Sequence, residues 1–230
     1  MKRFLVKILG FILPLPVIWI TLVYLYGSLV PTEFQKNLRY TSAGGFTSSR
    51  FAEADTVRNV DVLVLGNSHA YRGFDPRIFS EHKKRLFNLG TSSQRAVQTR
   101  YLVEKYLDGI KPKMVIYEVS YMNLTGDGLE SALDICYSTD KSDIGLLEMM
   151  LEVNQVKAYN TFLYSLLQDL DGEELKKETR MPGDSYVPGG YVESMKITQN
   201  AAELHTPSSR QVIDLEKNGD QLRAKKPWRY

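Results

Sequence analysis

Between Ile8 and Pro31 the chain carries no charged residue, and almost every side chain in that interval is apolar. A helix rises about 1.5 Å per residue, so roughly 20 such residues cross the hydrocarbon core of a bilayer. The run predicts an N-terminal membrane anchor over residues 1–31, which obliges the rest of the chain to fold beside a membrane. Lys2, Arg3 and Lys7 precede it. Because positive charge stays on the cytoplasmic side, this places the N-terminus inside and the sequence from Thr32-Glu33 onward outside. Trp19, Tyr24 and Tyr26 fall where interfacial aromatics lie, and Pro14 and Pro16 predict a kink or a helix start. Two other readings stand beside the anchor. A cleaved signal peptide would have an apolar region of about 7–15 residues followed by a small-x-small site, which Gly27-Ser28-Leu29 matches poorly. A buried helix of a soluble domain is opposed by the length of the run and its flanking charge.

With 230 residues, 43% of them hydrophobic, the chain holds one ordinary α/β domain besides the anchor. Lys+Arg 29 against Asp+Glu 27 leaves a formal charge of +2, without the basic excess that neutralising many phosphates requires, so nucleic acid is not an expected partner. Cys136 is the single cysteine, which excludes an internal disulfide. The three histidines form no Cys/His cluster at zinc-ligand spacing, and neither a metal nor a cofactor is expected.

Residues 32–56 read as a linker, since Thr41 to Ser49 is rich in small and polar residues without periodicity. The domain is expected over 57–230. Val60 to Gly66 is an apolar, β-branched run ended by glycine, the pattern of a buried parallel strand. Lys84 to Gly90 and Lys113 to Val119 repeat it, with apolar residues at near-helical spacing from Gln94 to Leu107 between them. Strands alternating with helices predict right-handed βαβ units in an open parallel sheet flanked by helices. Beyond Ser120, Ile144 to Leu170 reads as helical, Met181 to Val192 as a Pro/Gly loop and Ser208 to Lys225 as a polar helical tail.

Gly66-Asn67-Ser68-His69-Ala70 comes directly after the first strand, where ligands of open α/β sheets bind. A serine entering a helix there can present its hydroxyl at the sheet edge while backbone N–H groups stabilise an oxyanion. It is neither a Walker loop nor a dinucleotide fingerprint, and it lacks the spacing of the α/β-hydrolase elbow.

Val62-Leu63-Val64-Leu65 followed by Gly66-Asn67-Ser68-His69 resembles the first block of the SGNH/GDSL hydrolase superfamily, in particular its membrane-anchored bacterial cell-envelope members that read Gly-x-Ser-His. Phe87-Asn88-Leu89-Gly90-Thr91-Ser92-Ser93-Gln94 is similar to the second block, about twenty residues on. The resemblance covers Asp61 to Asn123. It implies an SGNH, flavodoxin-like three-layer fold, Ser68 as nucleophile, and an oxyanion hole from Ser68, Gly90 and, loosely, Asn123, with Ser120 as an alternative third donor. Asn67 and His69 are the expected substrate contacts.

The chain departs from the family pattern at two places. The third block reads Glu118-Val119-Ser120-Tyr121-Met122-Asn123 instead of Gly-x-Asn-Asp, and the closing Asp-x-x-His, which supplies the general base, does not occur. His69 is adjacent to Ser68, where successive helical side chains diverge by about 100°. His82 lies in the charged stretch Glu81 to Arg85, and His205 has no Asp three residues before it. The expectation is therefore a membrane-anchored serine esterase or O-acyltransferase of acylated envelope glycans, incomplete at its C-terminus and inactive or very weak as this chain. A glycan-binding or assembly protein on the same scaffold, with a membrane protein as partner, is the alternative.

Overall fold

A computed structural model describes residues 1–31, 34–38, 45–171 and 181–195. The expected tail over Ser208 to Lys225 and His205 lie outside the described residues.

Two helices open the chain, α1 (Lys2–Ile12) and α2 (Pro14–Leu29). They join through Leu13, which keeps right-handed helical angles, so the proline pair interrupts the hydrogen-bond ladder without turning the axis into a loop. The stretch Val6–Leu29, 24 residues, is long and apolar enough to cross a membrane. The C-terminal carbonyls of α2 are met by a side chain: Gln35 Nε2 donates to Gly27 O at 3.0 Å and to Val30 O at 2.5 Å.

The domain is an α/β layer structure, as expected. Its sheet holds β1 (Val62–Leu65), β2 (Leu86–Asn88) and β3 (Met114–Tyr117), all parallel, in the order β2-β1-β3. Val62 pairs with both Leu86 and Met114, and Leu65 with Tyr117. Between β1 and β2 come two short helices, α4 (Ser68–Gly73) and α5 (Pro76–Glu81), and between β2 and β3 the longer α6 (Ala96–Ile110). Central β1 is buried on both faces, whereas β3 leaves Met114, Val115 and Tyr117 exposed. The main core lies on one face of the sheet, where Leu63, Leu65, Phe87 and Leu89 meet Leu102, Tyr106 and Ile110 of α6.

After a 3-10 turn at Tyr121–Leu124, three more helices pack onto this core: α7 (Leu129–Ser138), α8 (Ile144–Val153) and α9 (Val156–Asp171). The helix expected over Ile144 to Leu170 is thus two helices. Asn154 breaks it by adopting φ 52, a left-handed conformation that asparagine tolerates at a helix end.

Two further expectations change. Residues 32–56 are not simply a linker, because α3 occupies Thr47–Ala54 and sends Phe51 and Ala54, each 1% exposed, into the core. The Pro/Gly loop over Met181 to Val192 is mostly an antiparallel hairpin of β4 (Asp184–Val187) and β5 (Tyr191–Ser194). Its turn docks on β2: Gly189 O accepts from Asn88 N at 2.9 Å, and a Cβ on Gly190 would collide with Asn88. Arg50, fully buried, ties α3 to that turn by donating from Nε to Gly190 O at 3.0 Å, and its guanidinium lies over the Tyr71 ring.

Candidate functional site

The three parallel strands end at one edge of the sheet, so the segments that leave them converge there. Gly66-Asn67-Ser68 leaves β1, Leu89-Gly90-Thr91 leaves β2 and Glu118-Val119-Ser120 leaves β3. Gly66 is required twice over. Its φ of +141° suits glycine, and a Cβ there would lie 2.8 Å from Glu118 Cβ.

Asn67 forms the N-cap of α4: its Oδ1 accepts from His69 N at 2.8 Å. Ser68 then occupies the first helical position, where its N–H precedes any intrahelical acceptor. Ser68 is half-buried, and among the described residues its hydroxyl takes part in no hydrogen bond.

Gly90 packs directly against this turn, since a Cβ there would sit 3.0 Å from Gly66 O and 3.1 Å from Asn67 O. Leu89 N donates to Val64 O and Thr91 N to Gly66 O, while the Gly90 N–H donates to no acceptor among the described residues. The loop beyond it is braced by buried Gln94, whose Oε1 accepts from Thr91 N at 2.9 Å and whose Nε2 donates to Thr99 Oγ1 at 2.9 Å.

Glu118 is the hub of the site. Its Oε2 accepts from Asn67 N and from Asn123 Nδ2, each at 3.2 Å. Its Oε1 lies 3.7 Å from His69 Nδ1. Asn123, 3% exposed, is brought to the site, but its amide is spent internally. Nδ2 donates to Glu118 O at 2.7 Å and to Glu118 Oε2, while Oδ1 accepts from Asn67 Nδ2 and from Ser120 Oγ. Asn67, Ser120, Asn123 and Glu118 therefore form one closed network that fixes the Gly66-Asn67-Ser68 turn. Both carboxamides position the turn and have no N–H left over for an oxyanion.

His69 lies near Glu118, with its side chain 71% exposed. The exposed His82 closes α5. Among the described residues no histidine bonds the Ser68 hydroxyl. Arg72 binds Asp184 of the hairpin at 2.6 Å. That contact raises its already high pKa, first through the hydrogen bond to Asp184. The Gly189-Gly190-Tyr191 turn packs on β2.

Sequence reasoning under-weighted Glu118. The signal available was a carboxylate placed immediately after an apolar strand, at the edge where ligands of open α/β sheets bind.

What the arrangement can do chemically is limited and specific. It offers a half-buried hydroxyl, two neighbouring backbone N–H groups with no acceptor among the described residues, and a carboxylate that anchors the turn. No group of His, Cys, Asp and Glu able to hold a metal occurs among the described residues. No family model, curated protein or solved structure matches this chain.

Proposed function

We propose that this chain is a membrane-anchored serine esterase or O-acyltransferase of the SGNH type, acting on acylated cell-envelope glycans, with Ser68 as its nucleophile. One observation carries the reading: Ser68 begins a helix at the carboxyl end of central β1, beside Gly90, and neither residue's N–H is spent among the described residues. Such N–H pairs stabilise the charge that develops on a carbonyl oxygen during acyl transfer. Ser68 Oγ attacks the ester carbonyl, the glycan oxygen leaves with a proton, and water or a second hydroxyl takes the acyl group from Ser68. The helix Val6–Leu29 holds the domain at the membrane, and Lys2, Arg3 and Lys7 keep its N-terminus cytoplasmic.

The rate depends on a base for Ser68. None of the described residues contacts its hydroxyl, so turnover by this chain is slow, of the order left to a site that keeps its oxyanion donors but lacks its histidine. Hydrolysis of p-nitrophenyl acetate tests this. The expected result is a weak activity that, above the hydrolysis caused by imidazole alone, added imidazole increases and Ser68→Ala abolishes. Activity indifferent to Ser68→Ala refutes the assignment. The lack of a contacting base also favours a second reading, a glycan-binding protein that keeps the scaffold. In that case Ser68→Ala leaves retention of an acetylated polysaccharide unchanged, while the protein adds no hydrolysis to the background with or without imidazole.

A further inference from the structure

Helix α4 carries Ser68 at its first position, yet it is only six residues long. Helices shorter than about 12–15 residues are marginal by themselves, so the position of Ser68 depends on what holds α4 from outside. Asn67 and its network hold the entry to the helix. Tyr71, three residues after Ser68, holds the helix itself.

Tyr71 is 2% exposed. Its ring packs with Phe46, the residue before α3, and with Val192 of β5. The guanidinium of buried Arg50 lies 4.5 Å from the ring centroid, and that of Arg72, fixed by Asp184, lies 5.5 Å from it. Gly45 closes over the hydroxyl, since a Cβ there would sit 3.0 Å from it. Inside that enclosure the Tyr71 hydroxyl shares a hydrogen bond with Ser92 Oγ at 3.0 Å.

Ser92 stands two residues beyond Gly90. The bond from α4 to Ser92 therefore closes a small ring that runs from Ser68 through Tyr71 and Ser92 to Gly90. Two residues of chain span at most about 7 Å, and residues three apart on a helix are neighbours on one face, so the ring has little slack. On the strand side the same pair is bracketed by Thr91 N, which donates to Gly66 O at 3.2 Å. That backbone tie fixes where the exit of β2 meets the exit of β1. The Tyr71–Ser92 bond fixes where it meets the helix that carries Ser68.

Packing alone would be served by phenylalanine. A buried hydroxyl is costly unless it is bonded, and the partner of this one lies on the loop that presents Gly90. We propose that Tyr71 is a positioning residue that sets the spacing between the Ser68 hydroxyl and the Gly90 N–H, acting through Ser92. This deepens the serine-nucleophile reading and rests on it. Acyl transfer is sensitive to such spacing, because small displacements of reacting groups forfeit much of a rate.

Intact-mass kinetics of the full chain with a fluorophosphonate test this. The rate of phosphonylation reports the geometry at Ser68, and the final extent reports the folded fraction. Tyr71→Phe keeps the ring and removes the bond. It is expected to slow phosphonylation about fivefold, the population shift that one neutral hydrogen bond can hold, while the extent still reaches one group per chain. Ser92→Ala is expected to slow it equally and the double variant no further, since both changes remove the same bond. A wild-type rate in either single variant, whatever its extent, or slowing in the double variant equal to the product of the two, overturns the proposal. Ser68→Ala separates this failure from failure of the underlying reading. Labelling that persists in Ser68→Ala, or a wild-type chain that takes no label, overturns the nucleophile and the positioning role together. Labelling lost in Ser68→Ala but unchanged in Tyr71→Phe overturns the positioning role alone.

Discussion

Glu118 shows how a single carboxylate organises the candidate site. It accepts two N–H groups, from Asn67 and Asn123, in a nearly enclosed position with its side chain 15% exposed. Removing it leaves Asn67 N facing no acceptor and Asn123 Nδ2 with the Glu118 main-chain oxygen alone. Glu118→Ala is expected to cost about 2–3 kcal/mol in a denaturant titration, and Glu118→Gln less, because an amide oxygen still accepts. Cys136 gives a second expectation. Burial pushes its thiol up to about 11, and its neighbour is Ser165 Oγ at 3.4 Å. Since the thiolate is the reacting species, iodoacetamide is expected to leave Cys136 unmodified in the folded chain and to alkylate it after unfolding in urea, as read by mass. Of the residues named from sequence, Ser68 and Gly90 sit together with their N–H groups unspent, because a strand ending in glycine sets the position of the turn that leaves it. Asn67 and Asn123 were singled out from sequence, but the hydrogen bonds they make with each other and with Glu118 were not legible there. Which amide is spent depends on partners from separate strand ends, and linear sequence carries no record of that.

At the scale of elements, Asp143 ties two helices together. It caps α8 by accepting from Gly145 N at 2.9 Å, and its other oxygen accepts from Tyr101 at 2.8 Å and Lys105 at 2.7 Å, both on α6. Burial raises its pKa, but the bonds from Lys105 and Tyr101 outweigh this and hold it below the ordinary aspartate range. A depressed folded value means stability that is present above the unfolded pKa, near 3.8, and lost as the pH falls through the folded one. Asp143→Asn is therefore expected to lower stability by about 1–2 kcal/mol at neutral pH, with the two melting curves converging as the pH drops below about 4. The elements themselves were unevenly legible. The three parallel strands and α6 carry strong apolar patterns and stand where those patterns put them. The β4-β5 hairpin was hidden because Pro188-Gly189-Gly190 dominates a segment whose strands have four residues each. Helix α3 was hidden because Thr47-Ser48-Ser49 reads as a loop, and only Phe51 and Ala54 mark its buried apolar face.

At the scale of the whole molecule, the long apolar helix and the α/β domain meet at Gly27 and Tyr164. The glycine is needed because the aromatic ring lies where a Cβ would be. Gly27→Ala is expected to destabilise the α2–α9 contact by about 1–3 kcal/mol, and combining it with Tyr164→Ala is expected to cost less than the sum of the two changes. Strictly additive melting shifts in a detergent-solubilised series would mean that the two residues do not share this contact. The apolar run made the helix readable from sequence. Its docking on α9 was not, since Tyr164 reads simply as one member of an apolar stripe and nothing in the pattern says what it packs against.

The proposed activity turns on whether Ser68 is a reactive hydroxyl held beside oxyanion donors. Intact-mass measurement of the full chain after exposure to a fluorophosphonate tests this most directly, because the phosphonyl oxygen samples the same N–H groups as an ester carbonyl. A reactive Ser68 predicts slow addition of a single phosphonyl group, mapped to that residue, faster in the presence of imidazole and absent in Ser68→Ala. A folded chain that gains no mass with or without imidazole, or that gains it equally in Ser68→Ala, would contradict the assignment.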